Sequence, residues 1–241
     1  MTVIAVPCPP PGINEVHERL DAELPLSGTE LTQLIAAVCQ DTLLAVVSSG
    51  GEPLIVPLAL ENPLPAWDDS VEVVSGMQDT LHIKNESIVQ TSEINESAEW
   101  AEDLFDVARA ESDAASLGIC LPKTPLVQRR HLDAAAMRLR RNDITLGPST
   151  GGRWYFLGCQ RTIDLEVAGD PGKTKTILEA NESTSALASI PFLPGFETVA
   201  ALVDLQTMIS LTEQTGAPAA PHTKQWFEST DVASESRSIP E

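Results

Sequence analysis

Short apolar runs alternate with amphipathic stretches along most of this chain, and a sheet with helices packed between its strands accommodates that order. Residues 3–6 read as a first strand, stopped by Pro9, Pro10, Pro11 and Gly12. Residues 29–47 read as a helix capped by Thr29, with Leu31, Leu34, Ile35, Val38 and Leu43 at helical spacing. Residues 53–60 form a second strand that Pro57 bulges or ends early, and residues 71–74 a short one. The polar stretch 78–97 reads as loops. Residues 99–111 make a helix with a stripe through Trp100, Leu104 and Val107. A strand of small residues at 114–120 suits the sheet centre. It is followed by a helix at 124–141 with Pro125 in its first turn. Residues 143–146 and 154–158 are strands around a glycine-rich turn, and 197–213 is a late helix. From Gly216 the composition turns to Ala, Pro, Ser and Glu, the pattern of a mobile acidic tail over 216–241.

The expected fold is therefore a single α/β domain over residues 1–215. Its sheet is mostly parallel and twisted, with helices on both faces. In such a sheet a ligand crevice lies outside the carboxyl ends of the strands. Residues 9–12, 119–122 and 147–152 would form its rim.

Charge narrows the partners. Thirty-five acids against fifteen Lys and Arg give a formal charge of −20. Nucleic acid and anionic membranes are disfavoured, because phosphate contacts need clustered cations. The one basic cluster, Arg138, Arg140 and Arg141, reads as the solvated end of a helix. A surplus of one sign keeps a protein soluble where salt screens self-repulsion, which points to a salty cytoplasm. The chain has no apolar run of about 18 residues and its first residues lack the basic and apolar regions of a signal peptide, so a cytoplasmic location is expected.

Local motifs carry little chemistry. Cys8, Cys39, Cys120 and Cys159 form no C-x-x-C pair, and the histidines are equally scattered, so buried free thiols are expected rather than zinc. GDPGKT, at 169–174, has Val167 where a phosphate-binding loop needs glycine, and reads as an exposed turn. His17, near Glu15, Glu18 and Arg19, reads as a surface group on a short helix.

Three segments in order carry a resemblance. Residues 3–20 read VIAVPCPPPGINEVHERL, followed by QDTLLAV; residues 117–158 read LGICLPKTPLVQRRHLDAAAMRLRRNDITLGPSTGGRWYFLG; residues 204–211 read DLQTMISL. Together they resemble the small GT-A glycosyltransferase-like proteins also called selenodomain-associated transferases. Those are relatives of phospholactate guanylyltransferases and sugar nucleotidyltransferases. The family pattern runs from A-K-x-P-x-P-G and K-T-R-L, through G-S-D-x-P and G-P-x-x-D-G-G-Y-Y-L-I-G, to D-V-D-T-P-x-D-L. The resemblance implies a GT-A-like fold and a nucleotide site at Pro11, Gly12, Arg19, Gly118, Cys120, Pro122, Gly147, Pro148 and Gly152, with Asp204 as a candidate metal ligand.

The departures fall on charged positions. The family's carboxylates, expected to hold a divalent cation such as Mg²⁺ or Mn²⁺, fall on Cys120, Gly151 and Gln206, and its opening Lys on Pro7. Turn-setting residues survive, Tyr155 and Gly158 among them. Three readings follow. One is a degenerate transferase that binds a nucleotide or nucleotide sugar with weak or no turnover. Another is an active metal-dependent transferase using unmatched acids such as Asp113 or Asp143. The third is an interaction module, a second copy included, whose cleft is filled by side chains.

Overall fold

The computed structural model describes residues 1–23, 26–58, 76–77, 100–161, 170–180, 186–216 and 219–230. The expected strand at 71–74 and loops at 78–97 lie outside the described residues. Six strands form one sheet: β1 (Thr2–Cys8), β2 (Glu52–Pro57), β3 (Ser116–Cys120), β4 (Ile144–Pro148), β5 (Trp154–Gln160) and β6 (Leu187–Ser189). Their order is β2-β1-β3-β5-β4-β6. The β1–β2, β1–β3 and β4–β6 pairs are parallel, and β5 alone runs against its neighbours β3 and β4. The sheet is mostly parallel, as the alternation predicts.

Among the described residues seven α-helices accompany it: α1 (Ile13–Glu23), α2 (Gly28–Ser48), α3 (Trp100–Glu111), α4 (Arg129–Leu139), α5 (Thr174–Ala180), α6 (Val199–Gln214) and α7 (Pro221–Ser229). They cover both faces because β1 alternates. Val3 and Ala5 point into one core with Leu104 and Phe105 of α3 and Ile177 of α5. Ile4, Val6 and Cys8 point into the other, with residues of α1, α2, α4, α6 and α7. Of these helices α2 is the centre. Ser27 caps it in a reciprocal box with Glu30, two residues before the expected cap Thr29. It is long and apolar enough to cross a membrane, yet most of it is buried against the sheet and α7.

Two expectations are corrected. The helix foreseen from residue 124 starts at Arg129, because the chain after β3 first makes turns, and Gln128 is its cap. Pro125 therefore lies before the helix and not in its first turn. The tail expected to be mobile contains α7, whose Trp226 and Phe227 are buried in the core. Its backbone is tied to α2: the Asp41 carboxylate accepts from the amides of His222 and Thr223 at 3.0 and 2.8 Å. The Trp226 indole donates to the Glu30 carbonyl at 2.9 Å. Composition missed this because the anchoring acid lies far away in sequence.

The order of strands locates the crevice. The chain goes from β1 to β2 on one side, then crosses to β3 on the other side of β1. In sheets of this kind a ligand site is expected outside the carboxyl ends of β1 and β3, where the connections diverge.

A cationic crevice at the carboxyl ends of the strands

Three loops meet at this edge. The first leaves β1 through the cis Cys8–Pro9 peptide and turns at Gly12, whose φ of +73° lies in the region that favours glycine. The second leaves β3 at Cys120 and carries Pro122 and Lys123. The third joins β4 to β5 through Ser149 and the turn Thr150–Gly152, with Gly151 and Gly152 both at φ +68°. A fourth segment, after β6, crosses over them. Its path is set by the Leu193 amide donating to the Pro148 carbonyl, the Gly195 amide to Thr150 Oγ1, and the Phe196 amide to the Lys123 carbonyl. Thr198 then caps α6, accepting from the Ala201 amide.

That route brings Glu197 into the crevice. Its Oε1 lies 3.8 Å from Lys123 Nζ and 3.7 Å from Arg153 Nε. Arg19, reaching from α1, donates to the Glu197 backbone carbonyl at 3.2 Å. The side chains of Lys123 and Glu197 are only 5% and 10% exposed, and that of Arg153 26%. Lys123 also marks the glycine turn: a Cβ on Gly12 would stand 3.8 Å from its ammonium. Two cations thus face the Glu197 carboxylate and a third holds its backbone, in a protein of net charge −20. The separations exceed hydrogen-bond length, and among the described residues Glu197 Oε1 has no hydrogen-bond partner. Burying such a group costs free energy unless it is well paired, so Glu197 is held loosely for its depth.

The residues expected at the site divide. Pro11, Gly12, Pro122, Pro148 and Gly152 belong to the rim loops, and Arg19 reaches the crevice. Gly118 does not: it lies within β3, where a Cβ would meet the Phe156 ring at 2.9 Å. Gly147 likewise lies under Tyr155, at 2.7 Å. Both are glycines because an aromatic ring occupies the place of a side chain. Cys120 ends β3 fully buried beside Cys8 and Tyr155, and burial pushes its thiol up, so it stays protonated and offers no anionic ligand. All four cysteines are buried.

Asp204 lies apart from these residues. It is exposed in the second turn of α6, about 10 Å of helical rise beyond Glu197. Gln206 is further along. The acid and Thr that precede α6 are Glu197 and Thr198. Gly151 is the other expected acid position. A Cβ there would lie 3.8 Å from Glu197 Oε2, so a side chain at that position would neighbour the Glu197 carboxylate. Asp113 and Asp143 precede β3 and β4 and lie at the opposite, amino-terminal edge. Neither reaches the crevice.

A divalent cation does not fit these residues. Among the described residues no three of His, Cys, Asp and Glu come together, and the one carboxylate present already faces two cations. His17 Nε2 lies 3.4 Å from the Gly28 carbonyl, on the α1–α2 connection. The described part of GDPGKT is a turn leading into α5, but Pro171 and Gly172 are buried rather than exposed. Pro171 accepts from the Trp154 indole, and Thr174 Oγ1 donates to the Arg153 carbonyl, which steadies Arg153 beside the crevice.

Sequence reading missed Lys123, Arg153 and Glu197. Their signals were present. Lys123 is one of five lysines and directly follows the central strand, and Glu197 immediately precedes a helix-capping Thr. What the sequence hides is their meeting, which depends on the crossing segment after β6.

No family model matches the chain, and no curated protein matches it. Solved structures do. A nucleotide-diphospho-sugar transferase by name, from Desulfovibrio desulfuricans G20, superposes with a TM-score of 0.66 at 14% identity, covering 95% of each chain. A cytidylyltransferase from Leptospira borgpetersenii serovar Hardjo-bovis superposes at 0.53 with 11% identity, covering 100% of this chain and 98% of that one. The fold is that of the nucleotide-diphospho-sugar transferases.

Proposed function

We propose that this chain is a degenerate transferase-like protein that binds a nucleotide or nucleotide sugar in the carboxyl-edge crevice, with weak or no turnover. The observation that carries the reading is the Lys123 ammonium set over the left-handed turn at Gly12. The family resemblance expects a phosphate-binding Lys on the β1 loop, where this chain has Pro7. Lys123 delivers an ammonium to that loop from β3 instead. Arg19 and Arg153 add guanidinium groups suited to phosphate oxygens. The glycine at position 151 supports weak turnover, since among the described residues no cluster of carboxylates stands ready to hold a cation on the leaving diphosphate. The resemblance in three ordered segments supports kinship with the selenodomain-associated transferases.

Thermal shift against a panel of nucleotides and nucleotide sugars in high KCl, with and without Mg²⁺ or Mn²⁺, tests this. Stabilisation by a nucleotide without metal is expected. A shift that needs metal, accompanied by transfer, identifies an active enzyme and overturns the weak-turnover half. No shift with any nucleotide overturns the binding half and leaves the interaction-module reading, which the buried Lys123 and Glu197 side chains favour.

A further inference from the structure

We infer that Glu197 is a built-in counter-anion, and that the diphosphate of the ligand binds without a metal ion by displacing its carboxylate from Lys123 and Arg153. The inference rests on the nucleotide reading for the identity of the ligand, but on separate observations for the mechanism. Lys123 is 4% exposed, and a buried ammonium is costly unless a negative charge accompanies it. Glu197 places such a charge beside Lys123 and Arg153. Its hold is weak by geometry: both cations stand 3.7–3.8 Å away, and Oε1 takes no hydrogen bond among the described residues. A phosphate offers more oxygens in the same place and accepts hydrogen bonds from a guanidinium in pairs. Gly151, at φ +68°, lies beside Glu197 Oε2 without a side chain of its own. Where the resemblance implies three carboxylates around a divalent cation, the described residues place one carboxylate beside two cations. The protein has replaced the metal's charge with its own.

Titration calorimetry in EDTA with inorganic pyrophosphate and, in parallel, a nucleoside diphosphate separates this from the nucleotide reading. The native chain should bind pyrophosphate without metal. Glu197→Gln removes the competitor and should tighten binding about tenfold, while Arg153→Gln should weaken it about tenfold, each the worth of one charge-assisted hydrogen bond. Arg153 is partly exposed, so its variant remains informative if Glu197→Gln fails to fold. Pyrophosphate or nucleotide binding that requires Mg²⁺, or Arg153→Gln binding as the native chain does, overturns the displacement. A nucleoside diphosphate binding no tighter than pyrophosphate leaves the displacement standing and removes the nucleotide reading.

Discussion

The Asp41 carboxylate on α2 accepts three hydrogen bonds from the start of α7: the amide of His222 and both the amide and hydroxyl of Thr223, at 3.0, 2.8 and 2.6 Å. Burial pushes this carboxyl above the ordinary carboxylate range, and the bonds from Thr223 and His222 act against that rise. Asp41→Ala should cost about 2 kcal/mol, because it leaves amide donors buried without a partner. Hydrogen exchange should show residues 219–230 losing protection first. Uniform loss of protection would mean that α7 is not held by this contact.

Gly118→Ala and Gly147→Ala should each destabilise by about 1–3 kcal/mol, the usual cost of forcing a methyl into a filled core. Phe156 and Tyr155 already occupy the two Cβ positions. Denaturant unfolding measures it. If either variant kept full stability but lost nucleotide binding, the glycine would belong to the site and not to the core.

His131 holds the start of α4. Its Nδ1 accepts from the Gln128 amide at 3.1 Å, and burial, with Arg130 nearby, lowers its pKa to about 4. The folded protein therefore favours the neutral ring. Its contribution is complete above the unfolded pKa of about 6.5 and is lost as pH falls towards about 4, where the unfolded chain takes up the proton first. Urea unfolding between pH 7 and 4 should show a shallower pH dependence for His131→Gln than for the native chain. Parallel curves would contradict this.

Net charge sets the salt response. With a charge of −20 the folded chain repels itself, and added KCl should raise the melting temperature by screening. A melting temperature that is flat or falls with KCl would refute the salt-adapted reading.

Much of the fold was legible because it is written locally. The stripe of α2 and the alternation of β1 declare which face each residue buries, and both elements lie where periodicity puts them. Failures occur where a distant residue decides. The start of α4 waits for turns after β3. The order of α7 comes from Asp41 and Glu30, far upstream. The same holds for the site. Gly12 and the rim prolines were visible as turn chemistry, but Gly118 and Gly147 resemble them in sequence and differ only in having a ring above. Lys123, Arg153 and Glu197 sit in no motif, and they meet only because the chain after β6 crosses the β4 and β3 loops. Gaps in a motif were readable; what fills them was not.

The most direct test is a crystal structure of the chain grown with a nucleoside diphosphate in EDTA. The account predicts phosphate oxygens about 2.8 Å from Lys123 Nζ and from the Arg153 guanidinium, with the Glu197 carboxylate turned away and the glycine turn at Gly12 against the ligand. A ligand bound elsewhere, or one in the crevice with Glu197 still between Lys123 and Arg153, would contradict it.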